Sequence, residues 1–445
     1  MRLDFVVDKT LHGPGLFVRI LGWVGLGWVK KLDVRKNQSD GGVKLRQPPS
    51  AEVPARRVVP ITSPAAQNPR VSMSFKKMAI PKSSSSSSNR DAEDKSQPLI
   101  PGLPEEISER CLLYLPYPYQ ALVRSVSSSW NRAITDPGFV VARKSLSLSL
   151  PYLFVFAFQN STDRIQWQAL DPRSGRWFVL PPMPCSKVVC PSCACASLPR
   201  QGKLFVLGGM RSDTGAAMQT TFVYRSSTNQ WSEASPMKTA RSYLTAGNVN
   251  GKIMAVGGCG ADGIEMVTAV ECYNPNNDTW TEVSKLRTEL SKYDSAVVGS
   301  SMYVTEGWTW PFMFSPRGTV YDAKTDRWHL MRAGLKEGWT GISVVLDETL
   351  FVISEHGDCL MKWYIPDLDT WQCVGGDRFP CETVRRPFAV SGLEGRIYVV
   401  ASNLNVAVGR IYQNQNGAFC VEWKVMGAPK AFKGLSPSSC QVLFA

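Results

Sequence analysis

The 445-residue sequence predicts two folded parts, a small α-helical module at residues 98–145 and an all-β propeller at residues 152–445. Apolar residues recur at helical spacing in the short module. A tryptophan-marked repeat of roughly fifty residues runs through the remainder. Hydrophobic residues make up 44% of the chain, which is enough for a large core.

The propeller prediction rests first on six tryptophans. They recur at intervals of 54, 49, 48, 43 and 52 residues, at Trp177, Trp231, Trp280, Trp328, Trp371 and Trp423. An internal repeat of this length is typical of propellers and solenoids. In most units a tyrosine stands seven residues before the tryptophan, with a turn-forming stretch rich in Asp, Asn and Pro between them. This pattern predicts a two-stranded hairpin in each unit.

Each unit also contains an almost wholly apolar strand, at residues 152–158, 204–207, 253–256, 302–305, 350–353 and 397–400. A strand that is apolar on both faces is packed on both faces, so we assign these as the inner strands of six blades. The first unit lacks an outer partner strand. We expect the apolar stretch at residues 440–444 to complete that blade and close the ring, which removes exposed sheet edges.

The helical module begins at Leu103-Pro104, where a proline and two glutamates suit the first turn of a helix. Its apolar positions are Leu103, Ile107, Leu112, Leu115, Val123, Val126, Trp130, Ile134 and Phe139. A few short helices of this size cannot bury all of these side chains by themselves. Some of this apolar surface must therefore face a partner or the propeller.

The segment before the module reads as a disordered basic extension rather than a domain. Residues 1–97 hold 17 Lys and Arg against 8 Asp and Glu, are rich in Pro and Ser, and show no apolar periodicity. An organelle transit peptide is the alternative interpretation of this composition. The remaining residues hold 33 basic and 29 acidic side chains, so the folded part is nearly neutral. A nucleic-acid partner is not expected, because it would require a basic face on the folded domain.

The sequence also predicts the cellular compartment. It carries no convincing secretory signal, and its apolar stretch at residues 16–29 is too short to span a bilayer. We therefore expect a nuclear and/or cytoplasmic protein without a membrane partner. Its twelve cysteines are expected to be reduced.

These residues resemble two known families. Leu103-Pro104, Ile107, Leu112, Leu115, Val123-Arg124, Val126, Trp130 and Phe139 resemble the F-box motif over about fifty residues. Residues 152–445 resemble kelch repeats, with an apolar strand, a glycine pair, a tyrosine and, seven residues later, a tryptophan. The glycine pair is missing from the later units, which have Glu306-Gly307, Ser354-Glu355 and Ala401-Ser402 in its place. The combination is similar to the F-box/kelch-repeat proteins of plants.

The resemblance implies a non-catalytic substrate receptor of a Skp-cullin-F-box ubiquitin ligase. The implied adaptor-binding residues are Leu103, Pro104, Ile107, Leu112, Leu115, Val123, Val126 and Trp130. The propeller would capture a target protein for ubiquitination, and far-red, phytochrome-dependent light signalling is the implied setting. The alternative is a kelch interaction scaffold without a ligase role.

The sequence does not support two other kinds of site, a zinc site and a catalytic centre. Cys190 and Cys193 have the spacing of half a zinc site, but Cys195 follows in a strand and no histidine is near in sequence. We expect these cysteines to be ordinary packing residues on an outer strand. A catalytic propeller of the copper-radical type would need a cluster of Tyr, His and Cys. We find no such cluster and no nucleophile motif, and expect no cofactor and no metal.

One loop of the fourth unit stands out as a candidate target-binding site. It contains Trp308, Trp310, Phe312 and Phe314 within seven residues, followed by Arg317. Such a loop either folds inward over the channel mouth or presents aromatic anchors to a partner. Trp339, Arg385 and Arg386 are candidates for flanking contacts.

Overall fold

The computed structural model describes residues 99–185, 187–189, 192–260, 265–290, 294–306, 316–354 and 358–445. These residues all belong to one compact unit. The extension predicted for residues 1–97 lies outside them. None of the helices in the described ranges is long and apolar enough to cross a membrane.

Four short α-helices form the module that precedes the strands. They are α1 (Glu105–Leu113), α2 (Tyr119–Leu122), α3 (Ser128–Thr135) and α4 (Pro137–Ser145). Two of them have side-chain caps at their first residues: Ser127 accepts a hydrogen bond from the Trp130 amide, and Asp136 accepts one from the Gly138 amide. These caps satisfy amide groups that a helix N-terminus leaves without intrahelical partners.

Six sheets follow the module, which confirms the predicted six-bladed propeller. From the centre outwards, blade one contains β25 (Leu435–Phe444), β1 (Pro151–Gln159), β2 (Ile165–Leu170) and β3 (Trp177–Val179). Blade two contains β4 (Ala194–Leu198), β5 (Lys203–Leu207), β6 (Thr221–Arg225) and β7 (Gln230–Ala234). Blade three contains β8 (Thr245–Val249), β9 (Lys252–Val256), β10 (Val270–Asn274) and β11 (Thr279–Val283).

The other three blades repeat this order. Blade four contains β12 (Asp294–Val298), β13 (Ser301–Thr305), β14 (Gly318–Asp322) and β15 (Arg327–Leu330). After the short helix α5 (Ala333–Gly338), blade five contains β16 (Gly341–Leu346), β17 (Thr349–Ser354), β18 (Met361–Ile365) and β19 (Thr370–Cys373). Blade six contains β21 (Ala389–Leu393), β22 (Arg396–Val400), β23 (Val406–Gln413) and β24 (Phe419–Met426), with β20 (Gly375–Gly376) at its outer edge.

The ring is closed by the C-terminal strand, as the sequence predicted. Strand β25 pairs antiparallel with β1 along its whole length, with Tyr152 opposite Leu443 and Phe154 opposite Gln441. Residues from the two ends of the propeller therefore share one sheet, and the ring has no unpaired edge at this point.

The assignment of the inner strands from the sequence was wrong by one position. A central channel of about 350 Å³ is lined by β4, β8, β12, β16, β21 and β25, whereas the apolar strands are the second strand of each blade. The innermost strands carry small residues such as Ala196, Gly247 and Ser295, because six strands converge on a narrow space. One step outwards, each strand is enclosed between two neighbouring blades and can bury larger aliphatic side chains. The closing strand is accordingly the innermost strand of blade one, not an outer one.

In blades three to five, the tyrosine–tryptophan repeat joins the blade to the loop before it. In blade three, Tyr273 donates a hydrogen bond to Asp278 at 2.7 Å, and Asp278 accepts one from the Ser235 amide at 2.9 Å. The indole of Trp280 donates to the Ser235 carbonyl at 2.8 Å. Blades four and five repeat the arrangement with Tyr321, Asp326 and Trp328, and with Tyr364, Asp369 and Trp371. Asp278 has a φ of 54°, a left-handed conformation that Asp tolerates better than most residues.

Candidate functional site

The helical module has a small core of its own. Leu99, Leu112 and Ile134 are buried in it, and the partly buried Leu115, Val123, Trp130, Ala133 and Phe139 pack around them. The Trp130 indole donates a 2.6 Å hydrogen bond to the Leu99 carbonyl, which ties the segment before α1 to α3. Four of the eight residues singled out from the sequence, Leu112, Leu115, Val123 and Trp130, therefore hold the helices together.

The other four lie on the surface of the module. Leu103, Ile107 and Val126 are 38%, 43% and 62% exposed, and Pro104 is exposed beside Leu103. Further exposed apolar residues of the same module, not among the predicted adaptor contacts, include Tyr114, Tyr119, Leu122 and Val141. Ile107 and Tyr114 are seven residues apart, two helical turns, which places them on the same side of α1. This concentration of exposed apolar side chains on a small module is the signature of a protein-binding surface.

The module docks on the propeller through a buried aromatic joint. The hydroxyl groups of Tyr117 and Tyr224 are 2.8 Å apart, and both side chains are buried. The Tyr117 ring packs against Tyr152, Phe154 and Phe178 at centroid distances of 5.0, 5.6 and 6.2 Å. Burial raises the pKa of Tyr117 and of Tyr224 well above the ordinary value of a phenol. Both tyrosine hydroxyl groups are therefore protonated and uncharged at physiological pH.

A second contact fixes the orientation of the module. Arg124 donates a 3.1 Å hydrogen bond to the carbonyl of Thr228, in the turn between β6 and β7. This turn, together with the turn at residues 199–202 between β4 and β5, lies on the face of the propeller that we call proximal. With the strands of each blade counted from the centre outwards, the proximal face is formed by the turns that join the first strand to the second and the third strand to the fourth. The distal face, at the other ends of these antiparallel strands, is formed by the loops that join second to third strands and successive blades.

The structure places the described part of the candidate target site on the distal face. Arg317 precedes β14, and its guanidinium forms an ion pair with Glu306 at 2.9 Å. Arg385 and Arg386 precede β21 on the same face, and Arg386 stacks on Phe388 with 5.1 Å between guanidinium and ring centre. Trp308, Trp310, Phe312 and Phe314 lie outside the described residues.

The prediction that Trp339 supplies a flanking contact to a target is wrong. Its side chain is fully buried, and its indole donates a 2.8 Å hydrogen bond to Asp294. Trp339 packs at 6.2 Å from Trp371 and so belongs to the core between blades four and five.

Two expectations about cysteines need correction. Cys195 lies on the innermost strand of blade two and not on an outer strand. Cys359 and Cys373, expected to be reduced, are joined by a disulfide with an S–S distance of 2.24 Å. A hydrogen bond with Cys195 and burial raise the pKa of Cys193. Among the described residues, which exclude Cys190, no three His, Cys, Asp or Glu side chains are grouped to hold a metal ion.

Comparison with known proteins identifies the class of both parts. A family model for the F-box domain matches residues 100–141, and one for the Kelch motif matches residues 191–238 and 240–287. The chain belongs to the F-box/kelch-repeat protein family. It is 57% identical over 357 residues to the F-box protein AFR of Arabidopsis thaliana, an alignment that covers 80% of this chain and 95% of the relative.

More distant relatives have the same organisation. An F-box/kelch-repeat protein of Arabidopsis thaliana is 41% identical over 361 residues, covering 81% of this chain and 90% of the relative. Another from the same plant is 27% identical over 393 residues, covering 73% and 82%. The family resemblance stated from the motifs is therefore confirmed.

Proposed function

We propose that this protein is the substrate receptor of a Skp-cullin-F-box ubiquitin ligase. The observation that carries the proposal is the separation of two surfaces on one compact unit. Exposed apolar residues of the F-box are available to an adaptor, and the distal face of the propeller is available to a target. A non-catalytic receptor acts by raising the effective concentration of the target near the ubiquitin-carrying enzyme.

The adaptor contact in this proposal is made by exposed residues. Leu103, Pro104, Ile107 and Val126 contact a Skp-type adaptor directly, and Tyr114, Tyr119 and Leu122 extend the surface. Leu112, Leu115, Val123 and Trp130 act indirectly, because they set the relative positions of the helices. An apolar surface of this kind gains affinity from area removed from water on binding.

The target contact is assigned to the distal face. The F-box occupies part of the proximal face, so loops on the other side of the ring are the ones left open to a second protein. Arg317 lies there, and in the sequence Trp308, Trp310, Phe312 and Phe314 precede it between β13 and β14. Aromatic side chains and arginine are the residue types that most often supply binding energy at protein interfaces.

The biological setting is also a proposal. We place the protein in the nucleus and/or cytoplasm, and in far-red, phytochrome-dependent light signalling, as the sequence resemblance implies. The similarity to the F-box protein AFR supports this setting.

Affinity purification from plant tissue, read by mass spectrometry, tests the proposal. The tagged wild-type protein should capture a Skp-type adaptor, a cullin and a specific target that accumulates when the proteasome is inhibited. A variant with Leu103 and Pro104 both changed to Ala should keep the target and lose adaptor and cullin. Capture of a partner without adaptor or cullin by the wild-type protein would favour a kelch scaffold without a ligase role.

A further inference from the structure

A small crevice separates the F-box from the proximal face of the propeller. It measures about 50 Å³ and lies between α3 and α4 on one side and two turns of blade two on the other. One water molecule needs roughly 10–15 Å³ on this scale, so the crevice has room for a few waters or one compact ion. Its polar lining comes from Gln120, Arg143, Lys144, Ser149, Arg200, Gln201, Ser226 and Ser227.

The first observation is a buried cation without an anionic partner. Arg143 is only 4% exposed, and its guanidinium donates to the carbonyls of Leu113, Leu115 and Leu148. No carboxylate of the described residues forms an ion pair with it. Burial lowers the pKa of Arg143, as expected for a positive charge removed from water. A buried charge of this kind is costly unless a counter-charge is nearby.

The second observation is an amide side chain without a hydrogen-bond partner. Gln120 is only 3% exposed as a residue and lines the crevice, and its side chain forms no hydrogen bond with the described residues. Its amide atoms keep some accessible surface, so they are open to a ligand in the crevice.

The third observation is the charge at the mouth of the crevice. Lys144 and Arg200 are exposed there, on α4 and on the turn between β4 and β5, and neither forms an ion pair with a described carboxylate. No Asp or Glu side chain lines the crevice. Three cationic side chains, one amide and several hydroxyl groups thus converge from both modules on a space that lacks acidic side chains.

We propose that this crevice binds a compact tetrahedral oxyanion, of which inorganic phosphate is the representative, between the F-box and the propeller. The oxygens of such an anion accept hydrogen bonds from several directions, which suits donors that come from two modules. The bound anion neutralises the buried guanidinium and links Arg143 and Lys144 of the F-box to Arg200 of the propeller. It thereby strengthens the joint that sets the adaptor surface relative to the distal face.

The test is a phosphate titration of the full-length protein at constant ionic strength, with sodium chloride as the balancing salt. The melting temperature of the wild-type protein should rise saturably with phosphate, because a ligand that binds only the folded state stabilises it. The variant Lys144→Gln/Arg200→Gln should need at least about ten times more phosphate for the same rise. These side chains are exposed and bonded to no described carboxylate, so the variant should fold.

A charge-matched control separates this site from general screening. The variant Arg164→Gln/Lys424→Gln changes the net charge equally, at exposed positions on blades one and six outside the crevice. It should keep the wild-type response to phosphate. Equal loss in both variants would overturn the proposal. So would a flat wild-type response.

The titration does not involve the adaptor. A failure of the oxyanion site and a failure of the ligase assignment are therefore seen in separate experiments.

Discussion

The hydroxyl of Tyr117 in the F-box donates a hydrogen bond to the hydroxyl of Tyr224 in blade two. The direction follows from the third member of the chain: Tyr224 donates its single proton to Asn229 at 2.6 Å and so must accept from Tyr117 at 2.8 Å. In blades three to five the corresponding tyrosine bonds to an aspartate and to no residue of the F-box. The hydrogen bond thus attaches the F-box to the repeat structure of blade two, and the packing of the Tyr117 ring on Tyr152, Phe154 and Phe178 attaches it to blade one.

Removing the Tyr117 hydroxyl should weaken the contact between the F-box and the propeller, while the packing of the ring is kept. We expect Tyr117→Phe to lower the free energy of unfolding by about 1 kcal/mol, the usual net value of one buried hydrogen bond. Tyr117→Ala should cost about 3–5 kcal/mol because it also leaves a cavity. Chemical denaturation measures both values, and Tyr114→Phe is the matched control because Tyr114 is exposed. A change of less than a few tenths of a kcal/mol for Tyr117→Ala would show that the two modules are not packed together.

The same tyrosine should make stability depend on alkaline pH. Burial raises the pKa of Tyr117, whereas an unfolded tyrosine titrates near 10. Above pH 10 the unfolded chain loses a proton that the folded chain keeps, so the free energy of unfolding falls as pH rises. From about pH 11 the wild-type curve should be steeper than that of Tyr117→Phe by up to about 1.4 kcal/mol per pH unit. Parallel curves between pH 10 and 12 would mean that Tyr117 is not buried.

A buried ion pair should hold the loop between blades two and three. Arg241 and Glu271 are both fully buried and 2.5 Å apart, and Glu271 also accepts hydrogen bonds from the amides of Lys238 and Thr239. We expect Glu271→Gln to cost about 3–5 kcal/mol, because it removes the buried carboxylate that pairs with the guanidinium. Arg241→Met/Glu271→Gln should be more stable than Glu271→Gln alone, since the buried positive charge is then removed together with the carboxylate. A double-mutant cycle measures this difference, and simple additivity of the two changes would contradict the account.

The aromatic segment of blade four should matter for target capture. Changing Trp308, Trp310 and Phe312 together to Ser should reduce capture of the target while adaptor binding and melting temperature hold. The reason is that the strands are committed to packing and the distal loops are free to bind. Pull-down of target and adaptor in parallel provides the measurement. A large loss of melting temperature would show instead that these aromatics are part of the core.

Local patterns predicted most of the architecture. The spacing of the tryptophans gave the number of blades, and the partnerless apolar stretch at the C-terminus gave the closure. The position of each strand within its blade was missed, because a strand with apolar residues on both faces is buried but not necessarily innermost. The innermost strands, such as β8 with Ala246 and Gly247, lack strong hydrophobic periodicity, since they line a narrow channel.

For the F-box, too, the sequence predicted the helices but not the contacts that they make. Its apolar stripe predicted a helical module, but spacing alone did not separate the buried Leu112 from the exposed Ile107. The joint between Tyr117 and Tyr224 spans 107 residues and has no local signal. The same is true of the crevice that contains Arg143, because its lining comes from two modules. Such contacts require the tertiary structure.

The most direct test of the central claim is the affinity of the purified protein for a purified Skp-type adaptor, measured by calorimetry. Ile107→Glu places a charge on the exposed apolar surface of α1, and Leu330→Glu places one on an even more exposed leucine of blade four. We expect Ile107→Glu to weaken adaptor binding at least about thirtyfold, as for an interface hot spot, with an unchanged melting temperature. Leu330→Glu should bind as the wild type does. Wild-type affinity in Ile107→Glu, or no adaptor binding by the wild-type protein, would contradict the assignment.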